Sequence, residues 1–179
     1  FFALICSAGL LFVFRRRYYR AALCFSLAML TRPEGLLFPF FAFLYYLFDR
    51  DAEDADTSRE AFRAFAIMAV VFLLYNGWRY CYFGDILPNT YYVKGGGGWC
   101  NFRLGWLNIK RLWSFNYNGF FISLAPLALI PRRSRRRVAC LLAILASYLL
   151  YEIKIGGDIL PMYRLHLTVL PLQFALASI

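Results

Sequence analysis

The 179-residue chain has a single histidine, His166, and ten acidic residues against twenty lysines and arginines. With one histidine and no zinc-type Cys/His spacing, no metal centre can be read from the sequence, and nothing in it fixes the use of a divalent metal. No phosphate-loop pattern surrounds the tetraglycine 95–98, which reads instead as a flexible external loop. Polar/apolar alternation is missing too, which excludes a transmembrane β-barrel. Residues 1–14 lack the basic start and small-residue cleavage site of a secretory leader. Of the five cysteines, Cys6, Cys24 and Cys140 sit in apolar runs and read as small hydrophobes. Cys81 and Cys100 leave one disulfide open on a shared non-cytoplasmic side.

What the chain does have is apolar surface. It is 61% hydrophobic and 20% aromatic, with mean hydropathy +0.55, where soluble domains average about 45–50% apolar. Apolar runs at 1–14, 21–48, 64–83, 115–131, 138–153 and 165–179 approach the ~20 residues that cross a bilayer core. The expected class is an all-α, polytopic transmembrane protein. The net charge of +10 is concentrated between these runs, as the positive-inside rule requires, so it points to topology and not to nucleic acid. There is no initiator methionine, and both termini fall inside apolar runs. The sequence is therefore expected to be a fragment lacking upstream helices.

Arginines set the expected threading. With Arg132, Arg133, Arg135, Arg136 and Arg137 in the cytoplasm, 138–153 runs outward and 165–179 returns. Segments 84–114 and 154–164 are then external, and 49–63 is cytoplasmic. The run 21–48 has cytoplasmic flanks on both sides and Thr31-Arg32-Pro33-Glu34-Gly35 in its middle. Proline and glycine break helices, so two short helices are expected, at 21–31 and 36–48. Broken backbone at membrane depth must be buried in protein or face a wet cavity. A single long kinked helix is the alternative.

The string GDILP occurs twice, at 84–88 and 157–161. Under this threading both copies and the TRPEG break face outward together. Asp85 and Asp158 are each either a helix cap or turn former or a group that accepts a proton from, or orients, a substrate hydroxyl. Arg164 either pairs with Asp158 or binds an anion such as a lipid phosphate. Arg32 is open to a salt bridge with Glu34 or to substrate, and Lys94 to a phosphate or to solvent. Residues 99–113 mix aromatics with cations and suit a helix lying in the membrane interface, as a lipid anchor or as a guide for a lipid-linked substrate. His166 reads as an interfacial residue.

Three motifs, Leu30-TRPEGLL-Phe38, Tyr82-Phe83-GDILPNTYYVK-Gly95 and Ile155-GGDILPMYR-Leu165, resemble in order and spacing those of the bacterial GT-C superfamily of membrane glycosyltransferases. The likeness is to the group of the mycobacterial arabinofuranosyltransferases and their relatives, whose motifs read approximately LTRPEG, YYGDLLPNTYYAK and GGDFMPGYR. It covers roughly residues 15–175. Met162, where the family often has glycine, and His166, in a normally apolar stretch, depart from the pattern.

The resemblance implies transfer of a sugar from a polyprenyl-phosphate donor to a glycan, lipid or protein hydroxyl at the outer face of the plasma membrane. It implies that Arg164, Arg32 and Lys94 hold the departing phosphate and that Asp158, and with it Asp85, orients substrate. It further implies a catalytic aspartate in an upstream external loop, which leaves the fragment inactive alone. A transporter or flippase is the alternative function.

Overall fold

Pro33 and Gly35 divide the longest apolar run into two helices. The residue before a proline is pushed out of the α region, and Arg32 accordingly has φ −147° and ψ 137°. A short 3-10 turn, Pro33–Leu36, follows, with proline at its first position, where the missing N–H costs nothing. The computed structural model describes residues 1–49, 55–85, 98–115, 132–156 and 168–177, and the regular elements among them are all helical. They belong to two units, Phe1–Ile86 and Leu87–Ile179.

In the first unit α1 (Phe2–Phe14), α2 (Tyr18–Thr31), α3 (Leu37–Asp49) and α4 (Ala55–Phe83) pack together. The turn from α1 to α2 is closed by two hydrogen bonds. The Arg16 N–H donates to the Val13 carbonyl at 2.9 Å and the Arg17 N–H to the Phe12 carbonyl at 2.8 Å. Arg16 is left-handed, with φ 57°, which completes a Schellman cap without its usual glycine. The core is built from Cys6, Leu10 and Val13 of α1, Ala21, Phe25 and Ala28 of α2, Phe38 and Ala42 of α3, and Ala61, Ala64 and Met68 of α4, all buried. Small residues let the helices approach closely. A Cβ on Gly9 would lie 2.5 Å from the Phe25 ring.

Ring contacts give the directions of these helices. Phe14 meets Tyr45 at 5.2 Å, and Tyr18 meets Tyr46 at 5.7 Å and Phe65 at 6.4 Å. The Tyr46 hydroxyl donates to the Ser58 carbonyl at 3.4 Å. These contacts sit at the arginine-turn end. At the other end of α1, Phe2 meets Phe38 at 6.2 Å and lies under Arg32. The TRPEG break and the arginine turn therefore stand at opposite ends of the helices.

Helix α4 has 29 residues, about 43 Å at 1.5 Å per residue. It is long and apolar enough to cross a membrane by length and composition, and only 17% of its most apolar stretch is buried. Beyond Met68 none of its residues is buried, and Val70, Leu73 and Leu74 are exposed.

In the second unit α5 (Gly98–Phe115) packs antiparallel on α6 (Arg132–Lys154), which also touches α7 (Leu170–Ala177). Asn101 lies by Gly156, Gly105 on the backbone of Ile153, and Ile109 with Ile153 and Leu149. Helix α6 runs about 34 Å from the arginine run to Lys154.

Three helices begin ahead of their apolar runs: α2 at Tyr18, α4 at Ala55 and α6 at Arg132. Hydropathy marks apolar surface, whereas alanine, arginine and glutamate extend a helix without it. Asp56 in the first turn of α4 also suits the helix dipole. Within the expected external segment 84–114, residues from Gly98 onward are helical. The expected helix at 115–131 falls outside the described residues except for Phe115, which ends α5. Of the expected 165–179, helix is described over Leu170–Ala177. The five cysteines are free thiols.

Candidate functional site

The break at Arg32–Leu36 rests on the last turn of α2. The Thr31 hydroxyl donates to the Ala28 carbonyl at 2.8 Å, and the Arg32 N–H donates to the same oxygen at 3.0 Å. The Gly35 N–H then returns to the Arg32 carbonyl at 2.9 Å. This fold-back drives the Gly35 backbone onto α2, where only a residue without a side chain fits. A Cβ there would stand 2.6 Å from the Ala28 oxygen.

The charges follow from that backbone. Arg32 pairs with Glu34 at 3.5 Å, with side chains 40% and 8% exposed respectively. The guanidinium also lies 5.4 Å from the Phe2 ring centroid, a cation–π contact. A nearly buried carboxylate is stable when its charge is matched. Here the arginine supplies the match while its side chain stays partly exposed. A guanidinium carries five N–H donors, more than the one contact to Glu34 uses, so an anion binding Arg32 would compete with Glu34 for them.

Asp85 sits at a different helix end. Gly84 closes α4 in the left-handed region, φ 75°, with its N–H donating to the Tyr80 carbonyl at 2.9 Å. Asp85 follows it and is exposed. A carboxylate just past a helix C-terminus is disfavoured by the helix dipole, so Asp85 does not serve as a cap for α4. Among the described residues no ion pair joins Asp85 to Arg32. Lys94, Asp158, Arg164 and His166 lie outside the described residues.

The end of α4 carries a cluster that sequence reasoning passed over. Trp78 stacks on Tyr82 at 5.7 Å and on Tyr75 at 6.2 Å. Arg79 lies between the rings of Tyr75 and Phe83, at 6.0 and 5.9 Å. Its Nε is shielded from solvent with no hydrogen-bond partner among the described residues. The 75, 79, 83 spacing, one helix face at i, i+4 and i+8, was the available signal. Phe2 as the platform for Arg32 had no such signal, because it comes from another helix.

Both GDILP copies follow a helix that ends at a glycine of positive φ. For the first this is Gly84, and for the second Gly156, φ 88°, after α6. Among the described residues no group of three His, Cys, Asp or Glu side chains is placed to hold a metal ion. Comparison of the chain with protein-family models, curated proteins and solved structures finds no match.

Proposed function

We propose that the chain is part of a polytopic GT-C-type glycosyltransferase of the bacterial plasma membrane, with its site on the extracytoplasmic side. The observation that carries the proposal is the break at Arg32–Leu36, a charged, glycine- and proline-interrupted backbone between two apolar helices. Such backbone belongs at a protein-lined or wet site when its flanks are in lipid. Helix α4 supports the membrane part, since an apolar helix with so little of its surface covered fits lipid better than water. The tyrosines and tryptophan around Arg79 suit a membrane–water interface at its end.

In this reading an acceptor hydroxyl attacks the anomeric carbon of a polyprenyl-phosphate sugar. The anomeric C–O bond to phosphate breaks, polyprenyl phosphate leaves, and the hydroxyl proton passes to a carboxylate base. Arg164, Arg32 and Lys94 neutralise the departing phosphate. Asp158 orients the acceptor or the sugar, with Asp85 assisting. Arg32 contributes to the phosphate from a partly exposed side chain, with Glu34 holding it in place.

The test is sugar transfer from a polyprenyl-phosphate donor by membranes carrying the full-length protein. Asp158→Asn and Arg164→Ala are expected to abolish transfer at unchanged expression, and unchanged turnover in both removes them from the site. A broken helix beside a charge pair also occurs in transporters, which is the second reading. Cysteines introduced at positions 85 and 158 separate the two. Labelling of both from outside intact cells is expected for the transferase, and labelling from opposite sides supports an inverted-repeat transporter.

A further inference from the structure

Helix α5 has two unlike faces. One carries Gly105 and Ile109 and is used up against α6. On the neighbouring face Trp99, Phe102 and Trp106, spaced i, i+3 and i+7, form one stripe, and all three are exposed, Trp99 by 77%. Trp99 stacks on Phe102 at 5.3 Å with the ring planes 14° apart, so two of these rings lie nearly parallel. Exposed Arg103 and Lys110 border the stripe on the side away from α6, and the Lys110 ammonium lies 5.7 Å from the Trp106 ring centroid. The helix contains no acidic residue. After Ile86 the sequence has only Glu152 and Asp158 as acids, against a surplus of cations.

We infer that α5 docks flat on an anionic lipid surface, with the rings of Trp99, Phe102 and Trp106 at headgroup level and Arg103 and Lys110 on headgroup phosphates. Indole and phenyl rings partition to that depth, and long cationic side chains reach from there to phosphate while their stems cover apolar surface. A partner with an acidic surface would satisfy the cations alone. A row of three uncovered rings beside them matches a layer that is apolar below and anionic above. The inference rests on the membrane part of the reading above and is independent of its sugar chemistry.

The test uses the full chain reconstituted in vesicles, with Trp78, Trp99 and Trp113 replaced by phenylalanine so that Trp106 alone fluoresces. The vesicles are rich in phosphatidylglycerol and carry bromines either near the headgroup or near the bilayer centre. Trp106 is expected to be quenched most by the shallow bromines and to be sheltered from aqueous iodide. Arg103→Gln with Lys110→Gln is expected to lower the docked fraction, the docked-to-undocked ratio falling about thirtyfold for two headgroup-bound cations. That loss should vanish in phosphatidylcholine vesicles. Quenching by iodide alone, shelter from both iodide and bromines as under a protein partner, or stronger quenching by the deep bromines each overturns the inference.

A second chain, tryptophan-free except for Leu73→Trp in α4, reports insertion. If that position is quenched by the deep bromines while Trp106 is not quenched by the shallow ones, the docking fails and the membrane reading stands. If neither is quenched, both fall.

Discussion

Replacing Gly35 by alanine puts a methyl carbon 2.6 Å from the Ala28 oxygen, 2.7 Å from its carbonyl carbon and 3.0 Å from the Met29 nitrogen. All three are backbone atoms of α2, so no rotamer change relieves the clash, and either the break or the last turn of α2 must retreat by most of an ångström. That retreat also disturbs the Ala28 oxygen as acceptor for Arg32 and Thr31. Overpacking of a closed site costs about 1–3 kcal/mol, and the strained acceptor puts Gly35→Ala in the upper part of that range. Gly77→Ala is the control. Gly77 lies inside α4 with nothing within 4 Å of an added Cβ, so alanine there should stabilise by up to ~1 kcal/mol through helix propensity.

The assay is hydrogen exchange of the amides from Met29 to Leu37 in the purified, detergent-solubilised chain, alongside reversible unfolding followed by circular dichroism. Gly35→Ala should speed exchange locally and lower the midpoint, while Gly77→Ala should raise it. Two substitutions that move stability in the same direction, or a Gly35→Ala change within about 0.5 kcal/mol of the parent, would refute the close-packed break.

In the second unit, Gly105→Ala would drive a methyl into the backbone of Ile153. It should cost about 1–3 kcal/mol and expose Ile109 and Ile153 amides to exchange, while α1–α4 stay protected. Arg16→Gly removes a side chain from a left-handed position, where an L-residue costs about 1–2 kcal/mol. Part of that gain is offset by glycine's larger entropy in the unfolded chain. The net expectation is a higher unfolding midpoint with no change in the α1–α2 pairing. Asp85→Asn removes a negative charge from beyond the C-terminus of α4 and should leave stability unchanged or slightly raised. A drop in sugar transfer by this variant, measured beside an unchanged melting curve, would then assign Asp85 to the chemistry, and unchanged transfer would dismiss it.

How much of this was legible depended on how local each cause is. The break at Arg32–Leu36 could be read because Pro33 restricts Arg32 by direct steric contact and Gly35 is a neighbour in sequence. The Arg32–Glu34 pair was one of two readings for the same reason, since the residues are two apart and flank the proline. Helix starts at Ala55 and Arg132 were hidden because apolar content was the signal and those turns are polar. The need for glycine at positions 9 and 105 comes from Phe25 and Ile153 on other helices, and no local pattern carries it. The aromatic stripe of α5 was visible as composition. Its division into a face against α6 and a face left bare required the packing of Gly105 and Ile109.

The glycines that end α4 and α6 change what the repeated pentapeptide means. In the first copy the left-handed residue is the opening glycine of GDILP itself. In the second it is the residue before the string. Asp85 thus comes one residue past the reversal and Asp158 two. Identical letters therefore stand at different offsets from a helix end, and the repeat in sequence is not a repeat in position.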